Sequence, residues 1–429
     1  MNNGCDLCAD VIVVGAGASG LPAAIGAARA GASVILVEED SIIGGAPCDM
    51  YVAMLCGGPV TGILKEAHAR LRSAHSIISG VTAGEWFLPA SYLRVYRELL
   101  AQEPNIRLVT GARVIDALTG DSAGRRAVKG VVAEAGLGVR RHITGQIIVD
   151  ATGTGAVAAF AGCETIYGRD AKGDFREPHA QAERATAVQA CTWMYISQRL
   201  REGEPFDMTR LTACRLVKVL GSDEWFHVDP EAALRANPGV YLHWGCAIDC
   251  KDTRDPTEVA KAQDEALAVM ESDHALLQEN GLAIHLAPRI GVRESCRVIG
   301  EHVVTENDLL SGELPDDTIS IGDYGIDIWG NDSPSEEDCR IPGYGIPYRA
   351  LVPRHVDGLL LAGKAISGTH LAMSAYRVQP IVASIGQAAG VAAALCARQR
   401  WQPRQADPEV VRLSLQSDEQ RLDISFDRR

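Results

Sequence analysis

Gly15, Gly17 and Gly20 fall in a G-x-G-x-x-G spacing, and two acids, Glu38 and Glu39, follow about twenty residues later. These residue types suit a bound dinucleotide. Gly15 permits a tight turn, Gly17 lets the main chain approach a pyrophosphate, and Gly20 lets a helix lie close against a strand. Ser19 sits inside the same turn, and an acid after the next strand accepts hydrogen bonds from a ribose. Far along the chain, His370 and Arg377 bracket the stretch H-L-A-M-S-A-Y-R. An imidazole can act as acid or base near neutral pH. A guanidinium can hold a carboxylate or an enolate through two parallel bonds. The plainer reading is a histidine that bonds only main chain or ligand and an arginine that caps a turn. Arg289, Arg293 and Arg297 recur every fourth residue, which on a helix would put all three on one face, with Glu294 offsetting part of the charge. For these a structural ion-pair network is preferred to an anion-binding patch. Tyr344, Tyr348, His243 and Trp244 are pocket candidates by neighbourhood alone.

The elements needed to position the first group are legible. Val11 to Val14 is a continuous apolar run, the pattern of a strand buried on both faces. An alanine-rich helix pattern covers Leu21 to Ala30, Gly31 stops it, and Ser33 to Val37 reads as a second buried strand. The helix start offers unpaired N–H groups and positive dipole charge to a pyrophosphate. Helical patterns follow near Gly62 to Arg72 and Ala90 to Gln102. Strands are predicted at Ile106 to Val109, Ala112 to Leu118, Val128 to Ala135 and Ile143 to Asp150, with turns at Gly120-Asp121 and Gly136 to Gly138. The last strand runs into Ala151-Thr152-Gly153, a second glycine turn where main chain can lie near a ligand. Pro256 to Glu279 reads as an amphipathic helix carrying Val259, Ala266, Met270 and Leu277 on one face. Strand pattern returns at Gly358 to Leu361, and a helix rich in small residues is predicted from Ser374 to Arg398 with Pro380 in its first turn. The tail beyond Trp401 reads as polar and peripheral.

Composition sets bounds. A net charge of −14 argues against nucleic acid or an anionic membrane as partner. The twelve cysteines match no disulfide framework, so free thiols in a reducing, cytoplasmic setting are expected. The N-terminus lacks a basic segment and does not read as a signal peptide. Cys5-x-x-Cys8 has no second C-x-x-C to complete a zinc site, and no metal is expected. Val378 to Ala397 has the length of a membrane span, but Gln379, Pro380, Ser384 and Gln387 favour a buried helix of a soluble enzyme.

Taken in order, GAGASG, DATG, LLLAGKAISGTH and RVQPIVASIGQAAGVAAALC resemble the FAD-dependent oxidoreductases of the glutathione-reductase-like superfamily. More narrowly, PRIGVRES (288–295), IGEHVVTENDL (299–309), IPYRALVP (346–353) and AGKAISGTH (362–370) are similar to the family lying close to the fumarate reductase and succinate dehydrogenase flavoproteins. The resemblance implies an α/β fold: a Rossmann-like FAD-binding domain, its parallel sheet flanked by helices on one face and a β-meander on the other, with an inserted α+β substrate or cap domain. The corresponding segments are 1–165, 166–340 for the insert, 341–400 for the returning part, and 401–429 for the tail.

The resemblance also implies roles. Gly15, Gly17, Ser19 and Gly20 would hold the FAD pyrophosphate, Glu38 or Glu39 the adenosine ribose, and Val114 the adenine through its main chain. Ala151 and Gly153 would lie on the adenosine-pyrophosphate part, and the loop with Gly45 and Ala46 near the nucleotide. Gly363 and Lys364 would flank the ribityl chain and flavin, where many relatives have Gly-Asp. Gln379, Gly386 and Gln387 belong to the helix expected to face the flavin. Cys48 is expected as a free thiol lining the site rather than a covalent attachment point. The implied activity is hydride transfer between flavin N5 and a small organic substrate. A monooxygenase or oxidase and an electron-carrying subunit remain the alternatives, with a homo-oligomer or an external redox partner left open.

Overall fold

The computed structural model describes residues 6–74, 85–200, 206–214, 216–219, 239–329 and 341–424. Cys5 and the acidic stretch from 330 to 338 lie outside the described residues.

The centre is an eight-stranded sheet. Strand β1 (Leu7–Val14) pairs in parallel with β2 (Val34–Val37), and β2 with β3 (Ile106–Val109). Strand β4 (Ala112–Ser122), β5 (Arg125–Ala135) and β6 (Val139–Asp150) form an antiparallel meander. Strand β6 joins the two parts. Its first half pairs with β5, while its last residues, Ile148 to Asp150, pair in parallel with β8 (Leu359–Leu361). Its other edge lies along β1 from Leu7 to Val14. The short β7 (Val356–Asp357) closes the far side against β5. Val11 to Val13, Ile147 to Val149 and Leu359 to Leu361 are all buried, as strands covered on both faces must be. The meander's first turn differs from expectation. Strands β4 and β5 run through Gly120-Asp121 and reverse at Ala123-Gly124, both with positive φ (53° and 79°), as a two-residue hairpin requires.

Helix α1 (Gly20–Arg29) follows β1, and α4 (Gln379–Gln399) lies against it. Glycine sets how close they come. A Cβ on Gly386 would sit 2.0 Å from the Ser19 carbonyl oxygen, and one on Gly390 1.9 Å from that of Ala23. Buried Ile381, Ile385, Val391 and Leu395 add roughly 1.5–3 kcal/mol each through burial. Helix α4 is long and apolar enough to cross a membrane, yet it is buried from Gln379 to Ala397 within the protein. The single helix expected from Ser374 is two: α3 (His370–Tyr376) and then α4, with extended Val378 between. Pro380 has no N–H to continue the ladder and its ring would crowd the carbonyl four residues back, so the break is built into the sequence.

Residues Tyr195–Arg199, Val217–Val219, Val240–His243 and Leu282–Leu286 form a separate antiparallel sheet, backed by α2 (Pro256–Glu279). Ala266, Met270 and Leu277 of α2 are buried, and Val259 packs at the edge of that second apolar core. The tail is not peripheral. Helix Pro408–Leu415 buries Val411 and Leu415, Leu422 and Ile424 are covered, and Gln420 Nε2 donates to the Gly26 carbonyl (2.9 Å). Its polar composition hid a few apolar residues at helical spacing.

Candidate active site

At the β1–α1 turn, Gly15 has φ +98°, and a Cβ there would lie 2.6 Å from the Ala151 carbonyl oxygen. A Cβ on Gly20 would collide with the Gly15 carbonyl oxygen, 1.7 Å away, so strand and helix approach as closely as main chain allows. Leu21 N–H donates to the Gly17 carbonyl (3.1 Å). The N–H groups of Gly17, Ala18, Ser19 and Gly20 find no acceptor among the described residues. Gly45, at φ +56°, faces Gly17 so closely that a Cβ on it would be 2.9 Å from the Gly17 Cα. Bare main chain with unused donors is the cradle that a pyrophosphate fits. Ser19 contributes its main chain. Its hydroxyl is buried without a partner, packed under Gly363 and Gly386.

The two acids separate by direction. Glu38 is buried, its carboxylate accepting from Ala16 N–H (2.6 Å) and Asp40 N–H (3.0 Å). Burial pushes its carboxyl up, and those bonds pull it part of the way back. Glu39 turns outward toward Arg113 and Arg289. Glu38 is therefore the acid facing inward beside the turn. Ala112 N–H bonds to the Glu38 carbonyl (2.9 Å), which brings Val114 alongside. Gly153 (φ +70°) lies beneath the Lys364 side chain, 3.5 Å from a Cβ position to Lys364 Cε.

Some expected cofactor contacts belong elsewhere. Gln387 spends its amide on protein: Oε1 accepts from Ile63 N–H (3.0 Å), while Nε2 donates to the Gln420 carbonyl (2.8 Å) and side chain (3.1 Å). Gly386 serves the α1–α4 contact. Both lie too far along α4 for its start to share their role. Gln379, at that start, donates through Nε2 to the Val52 carbonyl and keeps a buried, unpartnered Oε1. Ala46 opens the short helix Ala46–Asp49, and Tyr51 just beyond it holds φ 54°, strained for a bulky residue, where the two apolar cores meet. Cys48 is buried. Its thiol donates to the Pro89 carbonyl (3.4 Å), and burial, then the nearby Asp49 charge, push it up to about 12.

The three arginines do not share a helical face, because residues 287–300 contain no helix. Arg289 pairs with Asp40 (2.8 Å) and Glu39. Arg297 is buried, bonding Gly168 and Gly368 carbonyls, Asp170 and Glu294. Glu294 in turn accepts from Gln189 N–H and from His370 Nδ1 (2.8 Å). Burial raises the Glu294 carboxyl, but His370, Arg297 and the Gln189 N–H outweigh it and bring it below its ordinary value. His370 therefore stands behind the site. Its main-chain N–H donates to Asp170 (2.8 Å), and its Nε2 is buried with no partner among the described residues.

The network continues through residues that sequence reasoning missed. Thr369 Oγ1 and Glu306 N–H both bond Glu177 Oε1, and Glu306 pairs with His179. PRIGVRES, VTENDL and SGTH thus converge on one buried polar cluster, although nothing in their spacing couples them.

Arg377 lies nearer the surface. Its Nη2 donates to the Asp327 carbonyl (3.0 Å) and carboxylate (3.1 Å), and Tyr324 OH donates to the same carboxylate (2.9 Å). Lys364 Nζ donates to the Val292 carbonyl (2.5 Å). Arg293 Nη1 donates to the Ala190 carbonyl (3.0 Å) and Thr192 Oγ1 (2.6 Å). His243 is buried against Ser197 Oγ (2.7 Å) in the second sheet, and Tyr344 and Tyr348 are core residues. Trp244 packs at the edge of the main core. No group of three or more His, Cys, Asp or Glu among the described residues is arranged to hold a metal.

The sequence model of the FAD dependent oxidoreductase family matches residues 10–415. Among solved structures, the chain is similar to THI4 of Thermovibrio ammonificans, at 19% identity over 38% of this chain and 67% of that one, TM-score 0.31. It is also similar to the myxobacterial chondrochloren halogenase CndH (14% identity, 94% and 77% covered, TM-score 0.43). A third is Sdh1 of Mycobacterium smegmatis (14% identity, 95% and 72% covered, TM-score 0.40).

Proposed function

Because the chain belongs to the FAD dependent oxidoreductase family, with FAD as its cofactor, we propose that it is a dehydrogenase or reductase of a small organic substrate. Bound FAD supplies a two-electron centre that exchanges hydride at flavin N5. The rest falls to the chain. The free N–H groups at the start of α1 would hold the pyrophosphate, Glu38 the ribose, and the Val114 main chain the adenine. Ala151 and Gly153 would border the adenosine-pyrophosphate part, and Gly363 and Lys364 the ribityl side.

The observation that carries the redox assignment is the start of α4. This 21-residue helix has no acid in its first turn, and Arg377 stands two residues ahead of it. Its positive end and that guanidinium would stabilise negative charge on a flavin bound beside them, and so would favour electron uptake from a substrate. Burial, then the Arg377 charge, draw Lys364 down to about 8, near enough to neutrality for its Nζ to exchange a proton. His370 serves as a positioning residue that fixes Glu294.

Anaerobic mixing of the holoenzyme with reduced and oxidised small molecules tests this reading. Bleaching by a donor, with reoxidation by an organic acceptor, is expected. A flavin that no donor or acceptor turns over, or one whose reduced form reacts only with dioxygen, would overturn it.

A further inference from the structure

Arg293, Lys364 and Arg377 come from three separate segments, and each lies within electrostatic reach of the others. Lys364 is bonded to the carbonyl of Val292, the residue before Arg293. The Arg293 guanidinium carbon lies 4.8 Å from the centre of the Trp329 ring, and bonds to Ala190 and Thr192 fix its orientation. Arg377 keeps a buried Nε with no acceptor. Each cation works against the others. Burial and then Arg377 pull Arg293 down to about 9, while burial, Arg377 and Arg293 all act to lower Lys364.

Compensation is sparse. Asp327 is the carboxylate bonded to Arg377, it is part-exposed, and it already accepts from Tyr324. Glu294, the other acid near Lys364, is committed to Arg297 and His370. Three partly covered cations against one shared carboxylate form an electrostatically incomplete set, and such sets mark places where an anion binds. The pyrophosphate would have its own donors in the free N–H groups at the start of α1, and Lys364, lying over Gly153, is the member of the set that borders the nucleotide side. Arg293 instead is held by Ala190, Thr192 and Trp329, just before the strands of the second sheet and outside the nucleotide turn.

We propose that Arg293, Lys364 and Arg377 bind a carboxylate on the substrate, so that the enzyme acts on small organic acids. This rests on the oxidoreductase reading of the same site. The planar fork of a guanidinium matches the two oxygens of a carboxylate, which favours that head group over a spherical anion.

The test is a titration of the FAD-loaded enzyme with matched pairs, butanoate against butanamide and benzoate against benzamide, followed by flavin absorbance at several chloride concentrations. The acids should give a saturable change that weakens with chloride, and the amides should bind at least about tenfold more weakly. Arg293→Gln and Arg377→Gln should each weaken acid binding about tenfold or more with FAD content unchanged. Equal binding of acid and amide, or no saturable response to either acid, would overturn the proposal. So would loss of FAD from both variants with acid binding unchanged, which would assign the cations to the cofactor. The wild-type acid–amide comparison stands even if a variant fails to fold. A flavin reduced by a neutral donor while the acids fail would remove this proposal and leave the oxidoreductase reading intact.

Discussion

Replacing Gly386 by alanine tests the α1–α4 contact on which the nucleotide turn depends. The added Cβ would lie 2.0 Å from the Ser19 carbonyl oxygen, where an ordinary contact needs at least 3.4 Å. Helix α4 must therefore back away by about 1.4 Å, or α1 must shift with Ser19 and Gly20 at its start. Neither helix has space to absorb this, since every residue of α4 from Gln379 to Ala397 is buried. Overpacking of this kind costs about 1–3 kcal/mol. If about 2 kcal/mol of it displaces the free N–H groups of the turn, the FAD dissociation constant rises roughly 30-fold. FAD fluorescence titration of the apoenzyme measures that constant, and urea unfolding reads the accompanying loss of stability. Gly136→Ala is the control, because nothing lies within 4 Å of a Cβ there. It should change stability by less than about 0.5 kcal/mol. A Gly386→Ala enzyme with wild-type FAD affinity and wild-type unfolding would refute the view that main-chain contact between these helices sets the turn.

Arg297→Met would leave Asp170 and Glu294 buried without their cation, and urea unfolding should show a loss of about 3–5 kcal/mol. A loss below about 1 kcal/mol would mean that the network is not held by that charge. Glu177 supplies a pH signature. Burial raises its carboxyl from 4.5 to about 7. As pH rises through that window the unfolded chain loses a proton that the folded chain keeps, so the native state loses stability, and the loss is complete above about pH 7. Glu177→Gln should remove this loss. Its stability relative to wild type should climb by up to about 3 kcal/mol between pH 4.5 and 7, and a flat difference would count against the raised carboxyl. Acid precipitation should release yellow flavin into the supernatant from both wild type and Cys48→Ser. Colour kept in the wild-type pellet and lost from the variant's would contradict the inert, buried thiol.

The sequence alone was enough for the βαβ unit. Glycines at 15, 17 and 20 have few other uses between a buried strand and a helix, and the short, unbroken, largely β-branched runs of β1 and β2, bounded by turn residues, suit strands buried on both faces. It also marked α4 as buried, because small residues and scattered amides suit close packing better than lipid. Local pattern could not say which way a side chain turns once several segments meet. Glu38 and Glu39 are equivalent in one dimension, and only the position of the β1–α1 turn and of Arg113 and Arg289 sends one inward and the other outward. Arg289, Arg293 and Arg297 share a spacing but not a structure, since 287–300 contains no helix and sends each arginine to a different partner. His370 looked reactive for its residue type, yet Asp170, Glu294 and Arg297, contributed from two distant stretches, hold it away from solvent. The same long-range assembly sets Arg293 beside Lys364 and Arg377. The glycine turn was thus written in short-range spacing, because one strand end and one helix start build it. The set of Arg293, Lys364 and Arg377 was not, because electrostatic surplus belongs to groups brought together across the chain and exists only once the chain has folded.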